Sequence, residues 1–72
     1  MTTILLVEDE IELREVLADF IAREGYTVVA AANGDEGLQK ALETKPQLIL
    51  ADIRMPVMSG YQMIKKLRDA SP

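Results

Sequence analysis

Short apolar segments, each followed by a stretch with helical periodicity, constrain the fold of this 72-residue chain more than any other feature. The segments Ile4-Leu5-Leu6-Val7 and Leu48-Ile49-Leu50-Ala51 show no polar alternation, which is typical of strands buried on both faces of a parallel sheet. Tyr26-Thr27-Val28-Val29-Ala30, which lies between them, is rich in β-branched residues and predicts a further strand. The sequence therefore predicts an α/β domain with parallel strands.

Helical spacing of apolar residues follows each predicted strand. The first helix has a predicted buried stripe, and Gly25 is expected to end it. Asn33 is a plausible N-cap for the second helix, which Gly37 should weaken by about 1 kcal/mol relative to alanine. The predicted buried residues are Leu13, Val16, Leu17, Phe20 and Ile21 in the first helix, Leu38, Ala41 and Leu42 in the second, and Met63, Ile64 and Leu67 in the third.

Right-handed crossovers between these strands favour the order 2-1-3, with the first strand in the middle. In such sheets a ligand site lies beyond the carboxyl ends of the strands, where the strand order reverses. Glu8 and Asp9 follow the first strand, and Asp52 follows the third. The topology therefore predicts that these three carboxylates come together.

A cluster of like charges in a partly dry cleft requires either a protonated member or a bound cation. Mg²⁺ suits such a cluster because it takes oxygen ligands and keeps waters that a phosphate can replace. A carboxylate can also attack phosphorus to give an acyl phosphate. Asp52 is the better nucleophile because an accessible loop follows it, whereas Glu8 and Asp9 lead tightly into a helix and are better metal ligands.

Each of these residues also has a simpler interpretation. Asp9 and Glu12 have the spacing of a capping box at the start of the first helix. Glu8 alone is typical of a solvated charge near a positive helix end. Asp52 alone is typical of a turn. Lys65, Lys66 and Arg68 fit a solvated helix face, with an acidic partner as the minority alternative.

Composition excludes several classes of function. Cysteine and histidine are both absent, so disulfides, cysteine nucleophiles and histidine-based metal or triad chemistry are excluded. A net charge of −4 disfavours direct binding to nucleic acid. The chain has neither a basic signal-peptide region nor an apolar run long enough to span a membrane, which favours a cytoplasmic protein. No general base of tuned type is visible, so we expect that the chain is not an enzyme.

The segments from Ile4 to Glu10 and from Pro46 to Gly60 together resemble the receiver domain of two-component response regulators. The stretch Asp52-x-x-Met55-Pro56-x-Met58-x-Gly60 is a long match, and Asn33-Gly34 also fits the family. The resemblance implies a flavodoxin-like, doubly wound parallel sheet. Residues 1–72 would then form its first three βα units, β1α1β2α2β3α3, and lack β4α4β5α5.

The resemblance also implies the roles of individual residues. Asp52 would accept a phosphoryl group from a histidine kinase or a phosphotransfer protein. Asp9 would bind Mg²⁺ directly, Glu8 would act partly through water, and the backbone carbonyl of Arg54 would complete the protein ligands together with Asp52. The surface of the first helix would meet the kinase.

Two departures from the family set the remaining expectations. The Ser or Thr and the Lys that contact the phosphoryl group in the family follow strands that this sequence does not contain, so we expect slow or absent phosphorylation and a defective switch. The third strand would form an apolar sheet edge, so we expect homo-oligomers through this strand or the uncovered sheet face. The alternative function is a non-switching binding or dimerisation module on a partial receiver fold.

Overall fold

The structure, a computed structural model, describes residues 2–51 and 60–70. Strands and helices alternate along the chain, as the sequence predicts, and the strand boundaries differ from the predicted ones by at most one residue. The elements are β1 (Thr3–Val7), α1 (Ile11–Arg23), β2 (Thr27–Ala31), α2 (Gly34–Thr44), β3 (Leu48–Ala51) and α3 (Gly60–Ala70).

The described strands form one parallel sheet in the order β2-β1-β3, which confirms the predicted topology. Val7, the last residue of β1, pairs with Ala31 on one side and with Ala51 on the other. Gln47 fixes the opposite end of the sheet: its N–H donates to the Thr3 carbonyl at 2.9 Å, and its Oε1 accepts from the Thr3 N–H at 2.8 Å.

The core lies between the sheet and α2. Leu5 and Val7 of β1 are fully buried and form a cluster with Ala31 and Ala41. Ile49 of β3 packs against this cluster, as do Val29, Leu38, Ala51 and Leu67. The central strand is therefore buried as the absence of polar alternation predicts.

The predicted stripe of α1 is only partly correct. Ile21 is buried and Leu17 is half-buried, but Val16 and Phe20 are 64% and 62% exposed, and Leu13 is exposed as well. The described contacts of α1 with the sheet are mainly with β2 and β1, and the part of its apolar stripe that does not pack on these strands stays exposed.

Leu48 and Leu50 of β3 are 49% and 41% exposed. Because Ile49 and Ala51 pack on the α2 side and strand residues alternate between faces, these leucines lie on the α1 side. We call Val16, Phe20, Leu48 and Leu50 together the open α1 face.

The other two helices follow their predictions in part. In α2, Ala41 is buried and Leu38 is half-buried, whereas Leu42 is 46% exposed. In α3, Leu67 is half-buried and Ile64 is exposed, and the side chain of Met63 lies outside the described residues. The cations Lys65, Lys66 and Arg68 are exposed, as predicted for a solvated helix face.

Within the described residues, none of the helices combines the length and apolar character that crossing a membrane requires.

The start of α1 differs from the predicted capping box. Glu10, not Asp9, occupies the N-cap position and makes no side-chain capping hydrogen bond. The Glu10 N–H instead meets the Glu8 Oε2 at 3.2 Å, and the Arg14 Nη1 donates to the Glu8 carbonyl oxygen at 2.9 Å. The turn between β1 and α1 is therefore held by Glu8 and Arg14.

The remaining helix ends agree with the sequence. Asn33 is the N-cap of α2, and its side chain accepts a hydrogen bond from the Glu36 N–H at 2.9 Å. Gly25 follows the last residues of α1 with a φ of 96°, a conformation that suits glycine.

Replacing Asn33 with alanine should destabilise the fold by about 1 kcal/mol, because the Glu36 N–H loses its capping partner. Asn33→Asp keeps an acceptor oxygen and serves as the control. The measurement is urea unfolding followed by circular dichroism. Equal stability of Asn33→Ala and wild type would show that the cap contributes nothing.

Replacing Arg14 with methionine should cost about 1–3 kcal/mol, because a charged donor to the Glu8 carbonyl is lost. Arg23→Met is the matched control: it removes the same charge from the same helix but breaks only an exposed ion pair with Asp19, and should change stability by less than about 1 kcal/mol. Urea unfolding of both variants checks the difference. Similar losses of stability in the two variants would mean that the hydrogen bond to the Glu8 carbonyl contributes no more than the exposed ion pair.

Candidate functional site

The candidate site lies at the carboxyl ends of β1 and β3. Val7 and Ala51, the last residues of these two strands, are paired, and Glu8 and Asp52 are the residues that follow them in the sequence. Asp52 and Arg54, two of the predicted site residues, lie outside the described residues. The described part of the site therefore consists of Glu8, Asp9 and the groups around them.

Glu8 is 7% exposed, which makes the interpretation as a solvated charge wrong. Its N–H donates to the Ala31 carbonyl at 3.0 Å, which extends the ladder between β1 and β2 by one residue. Its Oε2 accepts from the Glu10 N–H at 3.2 Å, and its carbonyl accepts from Arg14. The backbone and the carboxylate of Glu8 are thus both held in place before any ligand arrives.

Asp9 is exposed and follows Glu8 directly in the turn before α1. The two residues offer carboxylate oxygens, the donors that a hard cation such as Mg²⁺ prefers. Within residues 2–51 and 60–70, no three acidic, histidine or cysteine side chains form a group that could hold a metal ion. The donor chemistry of Glu8 and Asp9 fits Mg²⁺, and the predicted third carboxylate is that of Asp52.

A pocket of about 290 Å³ lies beside Glu8. Leu17 of α1 and Leu50 of β3 line its walls, together with Leu6, Val7, Glu8 and Ala51. The carboxylate therefore stands at the border between an apolar surface and the strand ends, where solvent screening is weaker than at a fully exposed position.

Arg14 is the site residue that the sequence interpretation missed. A lone arginine on the first turns of an amphipathic helix gives no signal of its own, because most such residues are solvated. Its position six residues after Glu8 is the available hint, since a helix that starts immediately after the acidic pair turns this side chain back towards the strand end.

Residues 4–72 match the family model of the response regulator receiver domain. The response regulator TrrA of Thermotoga maritima, solved in complex with Mg²⁺-BeF, superposes with a TM-score of 0.89 at 38% identity, over 96% of this chain and 60% of TrrA. TrrA solved in complex with the histidine kinase ThkA gives a TM-score of 0.88 at 37% identity, over 99% of this chain and 61% of that one.

Curated relatives extend well beyond the matched segment. A transcriptional regulatory protein CpxR homolog of Haemophilus influenzae is 42% identical over 99% of this chain, which covers 31% of the relative. A protein-glutamate methylesterase/protein-glutamine glutaminase of Bacillus licheniformis is 36% identical over 100% of this chain, which covers 21% of the enzyme. This chain thus spans about a third or less of these curated relatives. Because the family model matches nearly all of its residues, the chain belongs to the response regulator receiver domain family.

Proposed function

We propose that this receiver segment is a phosphoacceptor of two-component signalling and that Asp52 takes the phosphoryl group. The observation that supports the proposal is the pairing of Val7 with Ala51, because the buried Glu8 follows the first of these residues in the sequence and Asp52 follows the second. Membership of the receiver family supports the same role.

In the proposed reaction, a carboxylate oxygen of Asp52 forms a bond to phosphorus, and the bond from phosphorus to the donor group breaks. Glu8, Asp9, Asp52 and the backbone carbonyl of Arg54 would hold Mg²⁺, which when bound neutralises charge on the transferring group. Glu8 suits this task because its contacts with Glu10 and Arg14 fix its position and limit the reorganisation that binding requires. TrrA has a similar fold and was solved in complex with Mg²⁺-BeF, which supports the proposed cation.

The proposed phosphodonor is a histidine kinase or a phosphotransfer protein, and α1 supplies part of the docking surface. Support comes from the solved complex of TrrA with the histidine kinase ThkA. We further propose that the segment itself neither turns over a small molecule nor binds nucleic acid, since its net charge of −4 disfavours phosphate contacts.

Incubation with labelled acetyl phosphate should give slow, Mg²⁺-dependent incorporation into the wild-type chain and none into Asp52→Asn, because the amide cannot act as the nucleophile. Asp69→Asn, which makes the same charge change on the exposed side of α3, is the control and should label like wild type. Intact-mass spectrometry measures the incorporation. Labelling of Asp52→Asn at the wild-type rate would assign the phosphoryl group to another residue.

A second candidate function, a binding or dimerisation module, is favoured by the open α1 face. Its four apolar side chains are each at least 41% exposed, and they lie on one side of the sheet. Large exposed apolar patches on a protein surface mark interaction sites. We propose that a second copy of the chain associates here or along β3, whose segment from Gln47 to Ala51 carries no charge.

Leu50→Lys should therefore weaken self-association, because it places a charge at the centre of the open α1 face. Leu42→Lys is the matched control: Leu42 of α2 is exposed to a similar extent, 46% against 41%, but lies away from this face. Light scattering at micromolar concentration compares the two variants with wild type. A well-folded wild-type monomer under these conditions would contradict the association.

A further inference from the structure

The two edges of the described sheet are not equivalent. β2 lies at one edge, because β1 alone is its neighbour in the order β2-β1-β3. The Thr27 N–H donates to the Thr2 carbonyl and the Ala31 carbonyl accepts from Glu8, so the backbone groups of Thr27 and Ala31 face β1. Successive residues of a strand direct these groups to opposite sides, which leaves those of Val28 and Ala30 directed outwards.

An outward-facing backbone of this kind is a template for another strand. The sequence of β2, Thr27-Val28-Val29-Ala30-Ala31, contains β-branched residues and no charge, proline or glycine. Short segments with this composition pair readily with copies of themselves. The strand therefore needs protection that its own side chains do not supply.

Lys40 of α2 reaches this edge. Its Nζ donates to the Ala30 carbonyl oxygen, one of the outward-directed groups, at 2.6 Å. The same Nζ forms an ion pair with Glu36 Oε1 at 3.1 Å, one turn earlier on α2. Lys40 is half-buried, so its aliphatic stem lies along the protein surface while its charge is held at the strand edge.

We infer that Lys40 is an edge guard, a charge fixed on the outward carbonyl of β2 that prevents this edge from pairing with the β2 of a second copy. An incoming strand would compete with the ammonium for the Ala30 carbonyl and would remove water from around that ammonium. Burial of a charge without its water is strongly unfavourable. The ion pair with Glu36 holds the side chain over the edge and reduces the entropy cost of keeping it there.

β3, at the other edge of the described sheet, differs from β2 in the charges near its outward backbone groups. By the same alternation, the Gln47 N–H faces β1, so the outward groups of β3 belong to Leu48 and Leu50. The ion pairs Arg23–Asp19 and Lys40–Glu36 lie on α1 and α2, and the segment from Gln47 to Ala51 carries no charge of its own. Lys40 thus restricts any self-association to the β3 side of the molecule. Lys40 would protect the β2 edge whether or not Asp52 accepts a phosphoryl group.

The test is amide hydrogen exchange measured by NMR over a dilution series of the 72-residue chain. In wild type, exchange of the Val28 and Ala30 amides should be independent of protein concentration. In Lys40→Met these two amides should exchange about tenfold more slowly at the highest concentration, which corresponds to pairing in roughly nine of ten molecules. The Leu48 and Leu50 amides report association through β3 in the same spectra, so the two edges are distinguished.

Lys45→Met is the matched control, because it removes the same charge from the end of the same helix and leaves the Lys40 contacts in place. It should behave like wild type. Adding Thr27→Lys to Lys40→Met puts a charge back on β2 and should restore concentration-independent exchange. If Lys40→Met does not fold, Lys40→Gln replaces it, and slowed exchange at Val28 and Ala30 is again expected. Unchanged exchange of these amides in the folded variant at every concentration would overturn the inference.

Discussion

Burial of β1 between two parallel neighbours is the constraint on which the rest of the structure depends. Leu5 and Val7 are fully enclosed, and the backbone of β1 is paired along both sides. The buried part of a strand in this position favours apolar side chains, and Ile4 to Val7 are all apolar. The first charged residue, Glu8, follows directly at the carboxyl end of this central strand, where Val7 pairs with Ala51 of β3.

This arrangement explains how a short strand holds a buried carboxylate in a fixed position. The Glu8 N–H is still part of the sheet ladder, while its carboxylate is bound by the first turn that follows and its carbonyl by Arg14. The rigid strand thus sets the position of the carboxylate, and the helix start sets its orientation.

The helices cover the two faces of the sheet to different extents. On the α2 side, Leu38 and Leu67 cover the sheet residues of the core cluster. On the α1 side, the helix covers β2 and β1, and Phe20 and Leu50 remain exposed. The two sheet edges also differ, because Lys40 of α2 donates a hydrogen bond to the outward carbonyl of Ala30 at the β2 edge. Among the described strand residues, the exposed leucines Leu48 and Leu50 therefore both lie on the α1 side of β3.

Much of this could be predicted from sequence because the determining signals are local. The apolar runs identify the strands, their alternation with helical stripes requires parallel pairing, and Asn33 caps α2 because its side chain reaches a backbone group three residues away. The convergence of the ends of β1 and β3 follows from topology alone. The family motif around Asp52 supplied the proposed chemistry, since residue type and strand order by themselves left several roles open.

Only the tertiary structure decided features that depend on which surfaces meet. The periodicity of α1 marks Val16 and Phe20 as apolar, but whether they are buried depends on how far the sheet extends beneath the helix. The buried state of Glu8 and the contact of Arg14 with its carbonyl depend on where α1 begins, one residue later than a capping box at Asp9 requires. Local sequence determined the elements and their order, whereas long-range packing determined which of their side chains are enclosed.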